Sequence, residues 1–297
     1  MRVALYGAGQ VSQNVATILT RRTGVETLGP FRREDRALAL SSAADVVVIA
    51  TTSFLRDIAE DVRAAIGAGS NVITTAEEAA FPWAVDALLG DELDVLARGH
   101  GVTVLGAGLN PGFPFDALLL TAMGPAPDVE TVRVERVVDL AGFGDAVKRR
   151  IGIGWTHDEF EAGRNSGTIT GHIGFPQSMR IVARRLGVEL ERVDREIEAI
   201  FGDDGLTGGF EQHYVGIADG RPWFRAFFTG HVDLDSIGRT PRDEIWIDGS
   251  VPLHYLIEPG LNPQTGSAAM IANSLRRVVE APAGWLTVAD LPPATPF

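Results

Sequence analysis

Residues 2–19 read RVALYGAGQVSQNVATIL, and this stretch decides the fold. Residues 2–6 (RVALY) read as a short buried strand, broken at once by Gly7-Ala8-Gly9. Over residues 10–22 the apolar side chains Val11, Val15, Ile18 and Leu19 recur at helical spacing. A second short strand is expected at 25–28. Strand, glycine turn, helix and strand within about 30 residues make a βαβ unit. Gly7-x-Gly9-x-x-Ser12 in that turn nearly matches a phosphate-binding fingerprint. Gly7 permits the tight turn, Gly9 lets a pyrophosphate reach the backbone, and the helix start offers its amides. Ser12 replaces the third glycine and is small enough to let helix and strand pack. Two glycines alone are a weak signal. Their place between a first strand and a helix is what predicts a dinucleotide site, with Gln10 and Val11 of the first helical turn in the cofactor set.

The alternation continues outward. Residues 45–50 (DVVVIA) are β-branched and apolar, as a strand covered on both faces should be. Helix is expected at 54–66, strand at 71–75, one or two helices over 77–99 interrupted by Phe81-Pro82-Trp83, strand at 102–105 and helix at 115–123. This is a doubly wound parallel sheet of the Rossmann type. After about residue 125 the pattern changes. Residues 129–140 alternate as a half-wet antiparallel strand does. Helices are expected at 175–187 and 191–201, and alternating strands at 211–218, 223–233, 243–248 and 253–257. The expected second domain is therefore α+β with a mostly antiparallel sheet. A last helix at 267–279 and a Pro-rich tail return the chain to the first domain. The division predicted is 1–125, completed by 262–297, for the nucleotide and 126–261 for substrate binding and dimerisation.

Composition narrows the function. With 297 residues, two domains are the first expectation. A net charge of −13 opposes a nucleic-acid surface. No apolar run approaches the roughly 20 residues of a membrane helix, and a strand begins without a signal peptide, so a cytoplasmic protein is expected. The chain has no cysteine, hence no thiol nucleophile and no Cys-based metal site. The His213 and His231 positions lack ligand spacing, so no metal is expected.

Cofactor choice is read at the end of the second strand. An acidic residue there would hold a ribose 2′-hydroxyl. This chain has Gly29-Pro30-Phe31-Arg32-Arg33 instead. Arg32 and Arg33 in that place suit a 2′-phosphate, which predicts NADP, with NAD possible. The alternative is a solvated basic loop. Thr51, Thr52 and Ser53 follow the next strand and are expected under the cofactor, with helix capping by Ser53 as the structural alternative. Asn110, in the glycine-rich turn at 106–112, joins the same set.

Thr75-x-x-Glu78 matches a capping box, which would make Glu78 structural. A carboxylate beside a nicotinamide is also well placed to move a proton or hold an iminium cation. Since the box would occupy Glu78, Glu77 is favoured slightly as the chemical one.

Five segments carry a resemblance to a known family: TTAEEAAFPW (74–83), GAGLNPGFPFDALLL (106–120), KRRIGIGWTHDEF (148–160), GHIGFPQS (171–178) and GSAAMIANSLRRVVEAPAGWLTVADLP (266–292). They resemble the 2,4-diaminopentanoate dehydrogenases and native amine dehydrogenases, whose N-terminal domain is related to dihydrodipicolinate reductase. Asn110-Pro111-Gly112-Phe113 with Asp116, and the closing EAPAGWLT, are the most distinctive. The resemblance implies oxidative deamination of an amine carbon, or reductive amination of a carbonyl with ammonia in reverse. It implies a catalytic acid/base glutamate within Glu77-Glu78. A simple aldehyde, ketone or monoamine stands as open a substrate as a diamine. An imine or carbonyl reductase that uses no free ammonia, and a nucleotide sensor without turnover, are the alternatives.

In the second domain His172, between glycines, is a candidate to line the pocket or polarise a substrate. A packed or capping histidine is the bland alternative. Phe113, Trp155 and Gln177 are candidates for the pocket wall. An antiparallel sheet with one open face predicts a homodimer.

Overall fold

The computed structural model describes residues 1–297, the side chain of Ala146 excepted. In chain order the elements are β1 (Arg2–Tyr6), α1 (Gln10–Leu19), β2 (Glu26–Phe31), α2 (Arg36–Leu40), β3 (Val46–Ile49), α3 (Leu55–Gly67), β4 (Asn71–Thr74), α4 (Ala87–His100), β5 (Thr103–Gly106), α5 (Ala117–Ala122), β6 (Thr131–Asp139), α6 (Asp145–Arg150), α7 (His157–Ser166), α8 (Phe175–Leu186), β7 (Arg192–Phe201), β8 (Thr207–Ala218), β9 (Arg221–His231), β10 (Arg242–Asp248), β11 (Leu253–Ile257), α9 (Pro263–Glu280) and β12 (Gly284–Leu286). They form two compact units. One comprises Met1–Thr121, Gln177–Leu186 and Pro263–Phe297, and the other Ala122–Pro176 and Gly187–Asn262.

The first unit is built on a parallel sheet of order β12-β5-β4-β3-β1-β2. Its strands are short and apolar because both faces are covered. On one face Ala4, Tyr6, Val47, Ile49, Val72 and Val104 pack with Ile58, Val62, Leu93 and Ala97 of α3 and α4. On the other, Val3, Leu5, Val46, Val48, Ile73 and Leu105 meet Val15 and Leu19 of α1 and Ile271, Leu275 and Val278 of α9. All four side chains of β3 are fully buried. Each contributes about 1.5–3 kcal/mol relative to exposure.

The second unit holds a sheet of order β11-β10-β6-β9-β8-β7. Neighbouring strands run antiparallel except β6 and β9, which are parallel. Val132, Val134, Phe210, Tyr214, Phe224, Phe228, Ile245 and Ile247 bury one face. The register places Arg133 beside Trp246 and Glu135 beside Glu244 on the other.

Four expectations are corrected. Residues 191–201 are not helical. Ten residues of β7 pair antiparallel with β8. Val193 and Ile197 satisfy a helical period as well as a strand period, and sheet pairing chose between them. The tail is not merely Pro-rich: β12 pairs parallel with β5 and closes one edge of the first sheet. α2, α6 and α7 were not anticipated. Finally, Gln177–Leu186 groups with the first unit, not with the second.

Candidate active site

Four loops leave the carboxyl ends of β1, β3, β4 and β5 in the first unit. The first is the glycine turn. Gly7 has φ +118°, and a Cβ there would sit 2.2 Å from the Ala50 carbonyl oxygen. The turn is thereby pressed against the end of β3, and the Gly7 amide donates to Phe31 O at 3.0 Å. Gly9 is the N-cap of α1, with no side-chain cap and no acid in the first turn. A Cβ on Gly9 would meet nothing within 4 Å. The start of α1 is thus uncapped, without a nearby acid in its first turn and uncrowded at Gly9, a helix start that fits a pyrophosphate. Ser12 is 1% exposed, packed between helix and sheet as a small residue can be. Val11 packs against the α1–α9 side of the core. Gln10 lies on the exposed face and donates to Asn14.

β2 runs to Phe31, three residues past expectation. Arg32 and Arg33 therefore stand at its tip, both exposed and without ion pairs among the described residues. Arg36 is turned away onto Asp61. A dianionic 2′-phosphate would find two unengaged guanidinium groups there.

The loops after β3 and β4 are tied together. Thr75 N–H donates to Ile49 O at 3.0 Å, and Glu78 N–H to Ser53 O at 3.2 Å. The Glu78 carboxylate Oε2 accepts from Leu55 N at 2.8 Å, so it caps the start of α3. The capping box expected at Thr75 does not form. The 3-10 turn Glu77–Ala80 starts from Ala76, without a side-chain cap. Thr75 is held in the strand direction, while the orphan amide of α3 claims Glu78. The preference for Glu77 loses its premise with the box. The Ser53 hydroxyl lies 3.5 Å from Glu77 Oε1. Thr52 accepts from Phe54 N–H and donates to Asp57, and Thr51 is exposed. Burial pushes the Glu78 carboxyl above its usual range, against the bond from Leu55, with Asp57 and Glu77 adding to the rise. A half-buried carboxyl with raised proton affinity can exchange protons nearer neutral pH.

The turn holding both glutamates is packed from below. A Cβ on Gly106 would lie 2.3 Å from the Ala79 backbone, so β5 passes against it. Trp285 Nε1 of β12 donates to Ala79 O at 3.0 Å. After β5, Asn110 precedes a cis peptide to Pro111, and Gly112 has φ +135° with a Cβ site 2.1 Å from Gly108 O. Asp116 holds that loop. Its carboxylate accepts from Gly112 N at 2.7 Å, Ala117 N at 2.7 Å and Ser178 Oγ at 2.9 Å. It is fully buried, which pushes its carboxyl up. Sequence reasoning marked Asp116 as distinctive but gave it no role. Its partner Ser178 is 62 residues away, and no local pattern links them.

Of the expected residues, the first unit brings Gly7, Gly9, Arg32, Arg33, Thr51, Thr52, Ser53, Glu77, Glu78 and Asn110 to these loops and strand tips. Phe113 lines a cavity of about 450 Å³ with Leu118, Met270 and Leu291. Gln177 is 3% exposed at the start of α8. His172 and Trp155 belong to the second unit. The His172 backbone is fixed at both ends, donating to Gln212 Oε1 at 2.8 Å and accepting from Tyr214 OH at 2.7 Å. Its ring stacks 5.3 Å from Phe228 and lies 4.9 Å from Phe175. Trp155 O accepts from Thr207, while its ring covers Gly163. Among the described residues no group of three His, Cys, Asp or Glu could hold a metal, and no helix is long and apolar enough to cross a membrane.

Residues 113–296 match the family model described as 2,4-diaminopentanoate dehydrogenase C-terminal domain. The chain is 29% identical to the 2,4-diaminopentanoate dehydrogenase of Acetoanaerobium sticklandii, over 98% of this chain and 93% of that protein. The structure of an amine dehydrogenase from Mycobacterium smegmatis matches with a TM-score of 0.84 at 23% identity, covering 100% of this chain and 97% of the other. A probable dehydrogenase from Thermotoga maritima matches with a TM-score of 0.59 at 12% identity, covering 98% and 92%. At those identities the structural likeness is one of fold. The sequence match extends over more than half of the chain, and on that ground it belongs to the 2,4-diaminopentanoate dehydrogenase family.

Proposed function

We propose that the protein is an NAD(P)-dependent amine dehydrogenase that joins ammonia to a small aldehyde or ketone and runs the reverse oxidative deamination. One observation carries this reading: a glutamate pair follows β4 beside the nucleotide loops, and burial raises the proton affinity of Glu78. Carbonyl, ammonium and NADPH give amine, water and NADP. When bound, the nicotinamide supplies the hydride. The chain's own part is proton handling. Glu77 and Glu78 keep the attacking nitrogen deprotonated, return a proton to the departing oxygen, and then offset the charge of the iminium. Glu78 is the better base by its burial, and its bond from Leu55 anchors one carboxylate oxygen.

NADP is favoured over NAD by the unengaged Arg32 and Arg33. Replacing both by alanine should lower the preference for NADP at least about tenfold while leaving NAD turnover near its starting rate. We also read the enzyme as a cytoplasmic homodimer, since it draws on a soluble nicotinamide pool and its second sheet has an open face. There Trp246 lies 4.1 Å under the Arg133 guanidinium and 5.2 Å from the His254 ring.

The test is NADPH oxidation with a panel of small aldehydes and ketones, each with and without ammonium. The expected result is turnover that requires ammonium. Equal turnover with carbonyl alone would mean a plain carbonyl reductase, and turnover only with preformed imines would mean an imine reductase.

A further inference from the structure

Gln177 is 3% exposed, and its amide oxygen has no hydrogen-bond partner among the described residues. An unmet buried acceptor weakens a fold, so a side chain of this kind persists where something outside the chain meets it. Its neighbour Ser178 is fully buried and donates to Asp116 Oδ2 at 2.9 Å. The same oxygen accepts from Gly112 N–H at 2.7 Å. One carboxylate oxygen therefore fastens the first turn of α8 to the loop that carries Asn110. Gln177, one residue from that fastening, is held beside the loop leaving the carboxyl end of β5.

Resting on the amine dehydrogenase reading, we propose that the Gln177 amide oxygen recognises the N–H groups of the reacting nitrogen, and that Ser178 and Asp116 are the strut that aims it. The chemistry is selective. An iminium or amine nitrogen carries N–H donors, and those of a cation make the stronger bonds. A carbonyl oxygen offers only lone pairs and would be repelled by an acceptor. Gln177 would thus favour the substrate after ammonia has replaced its oxygen. It sets which form is reduced and takes no part in moving protons, which falls to the glutamates.

The test compares the full-length enzyme with Gln177→Met, Gln177→Glu and Ser178→Ala. The readouts are the KM for ammonium, the ratio of amination to ammonium-free carbonyl reduction, and NADPH binding. Gln177→Met keeps the volume and loses the acceptor. It should lower amination about tenfold and shrink the ratio, with NADPH binding unchanged. Gln177→Glu restores an acceptor and should recover part of the loss. Ser178→Ala should move the ratio in the same direction, by less, and serves if Gln177→Met does not fold. Ammonium-dependent turnover in the unaltered enzyme with an unchanged ratio in Gln177→Met and Ser178→Ala overturns the proposal alone. Absence of ammonium-dependent turnover in the unaltered enzyme overturns the underlying reading and the proposal with it.

Discussion

The loop after β4 and the loop after β5 each present a carboxylate that burial has pushed above its usual range, and each carboxylate accepts a backbone N–H. Their surroundings differ. Asp116 is wholly enclosed and collects three donors, two amides and a serine hydroxyl. Glu78 is half-buried, and one of its oxygens caps α3. An enclosed group that holds three donors cannot trade protons with a ligand without disturbing the loop it holds. A half-open one can. The same chemical group thus serves architecture in one loop and reactivity in the other, and enclosure decides which.

The sharpest way to break this comparison is Glu78→Gln. The amide oxygen still accepts from Leu55, so the cap survives while proton transfer is lost. Ammonium-dependent NADPH oxidation should fall about 10²- to 10⁴-fold with little change in thermal stability. Glu77→Gln, measured beside it, divides the roles. Full rate in both variants would remove the pair from the chemistry. The pH profile sharpens the point. Glu78 works as a base only when ionised, so activity should rise with pH through a limb lying above about 4.3, the ordinary glutamate value. Glu78→Gln should lack that limb.

For Asp116 the expected effect is on stability. Asp116→Asn leaves an amide N–H facing a backbone donor and should cost about 1–3 kcal/mol. The sign with pH follows from burial. A carboxyl whose folded value is raised adds stability below its unfolded value, near 3.9, and loses that contribution as pH rises through the folded one. The gap between the parent and Asp116→Asn in urea midpoints should be widest at the acid end, below about 3.9, and narrow as pH rises. A gap that widens would mean Asp116 is held ionised by its donors after all. The smallest effect is expected from Ser53→Ala, because its hydroxyl is at the limit of bonding to Glu77. A change within about threefold in rate fits a surface-pair contribution of under 1 kcal/mol.

Much of the first unit was legible because its signals are local. Val46-Val47-Val48-Ile49 can only be a strand covered twice, and Gly7 and Gly9 bracket a turn whose geometry other residues would obstruct. The glutamate pair was legible as a candidate for the same reason. What escaped was non-local. β12 is three residues long and pairs with a strand about 180 positions earlier. The residues of β7 suit either period until β8 is beside them. Glu78 matched a local box but was claimed by Leu55, 23 residues upstream. Asp116 and Gln177 acquire meaning only through Ser178.

The first unit is discontinuous, and this orders the birth of the protein. Residues 1–121 supply five strands, but the face bearing Val3, Leu5, Val46, Val48 and Ile73 is finished by α9, and the free side of β5 by β12. A ribosome delivers both only after it has made every residue of the second unit. The nascent N-terminal half must wait, partly bare, while the later-made insert closes first. Chaperone demand should therefore peak before residue 263 emerges and end when α9 docks.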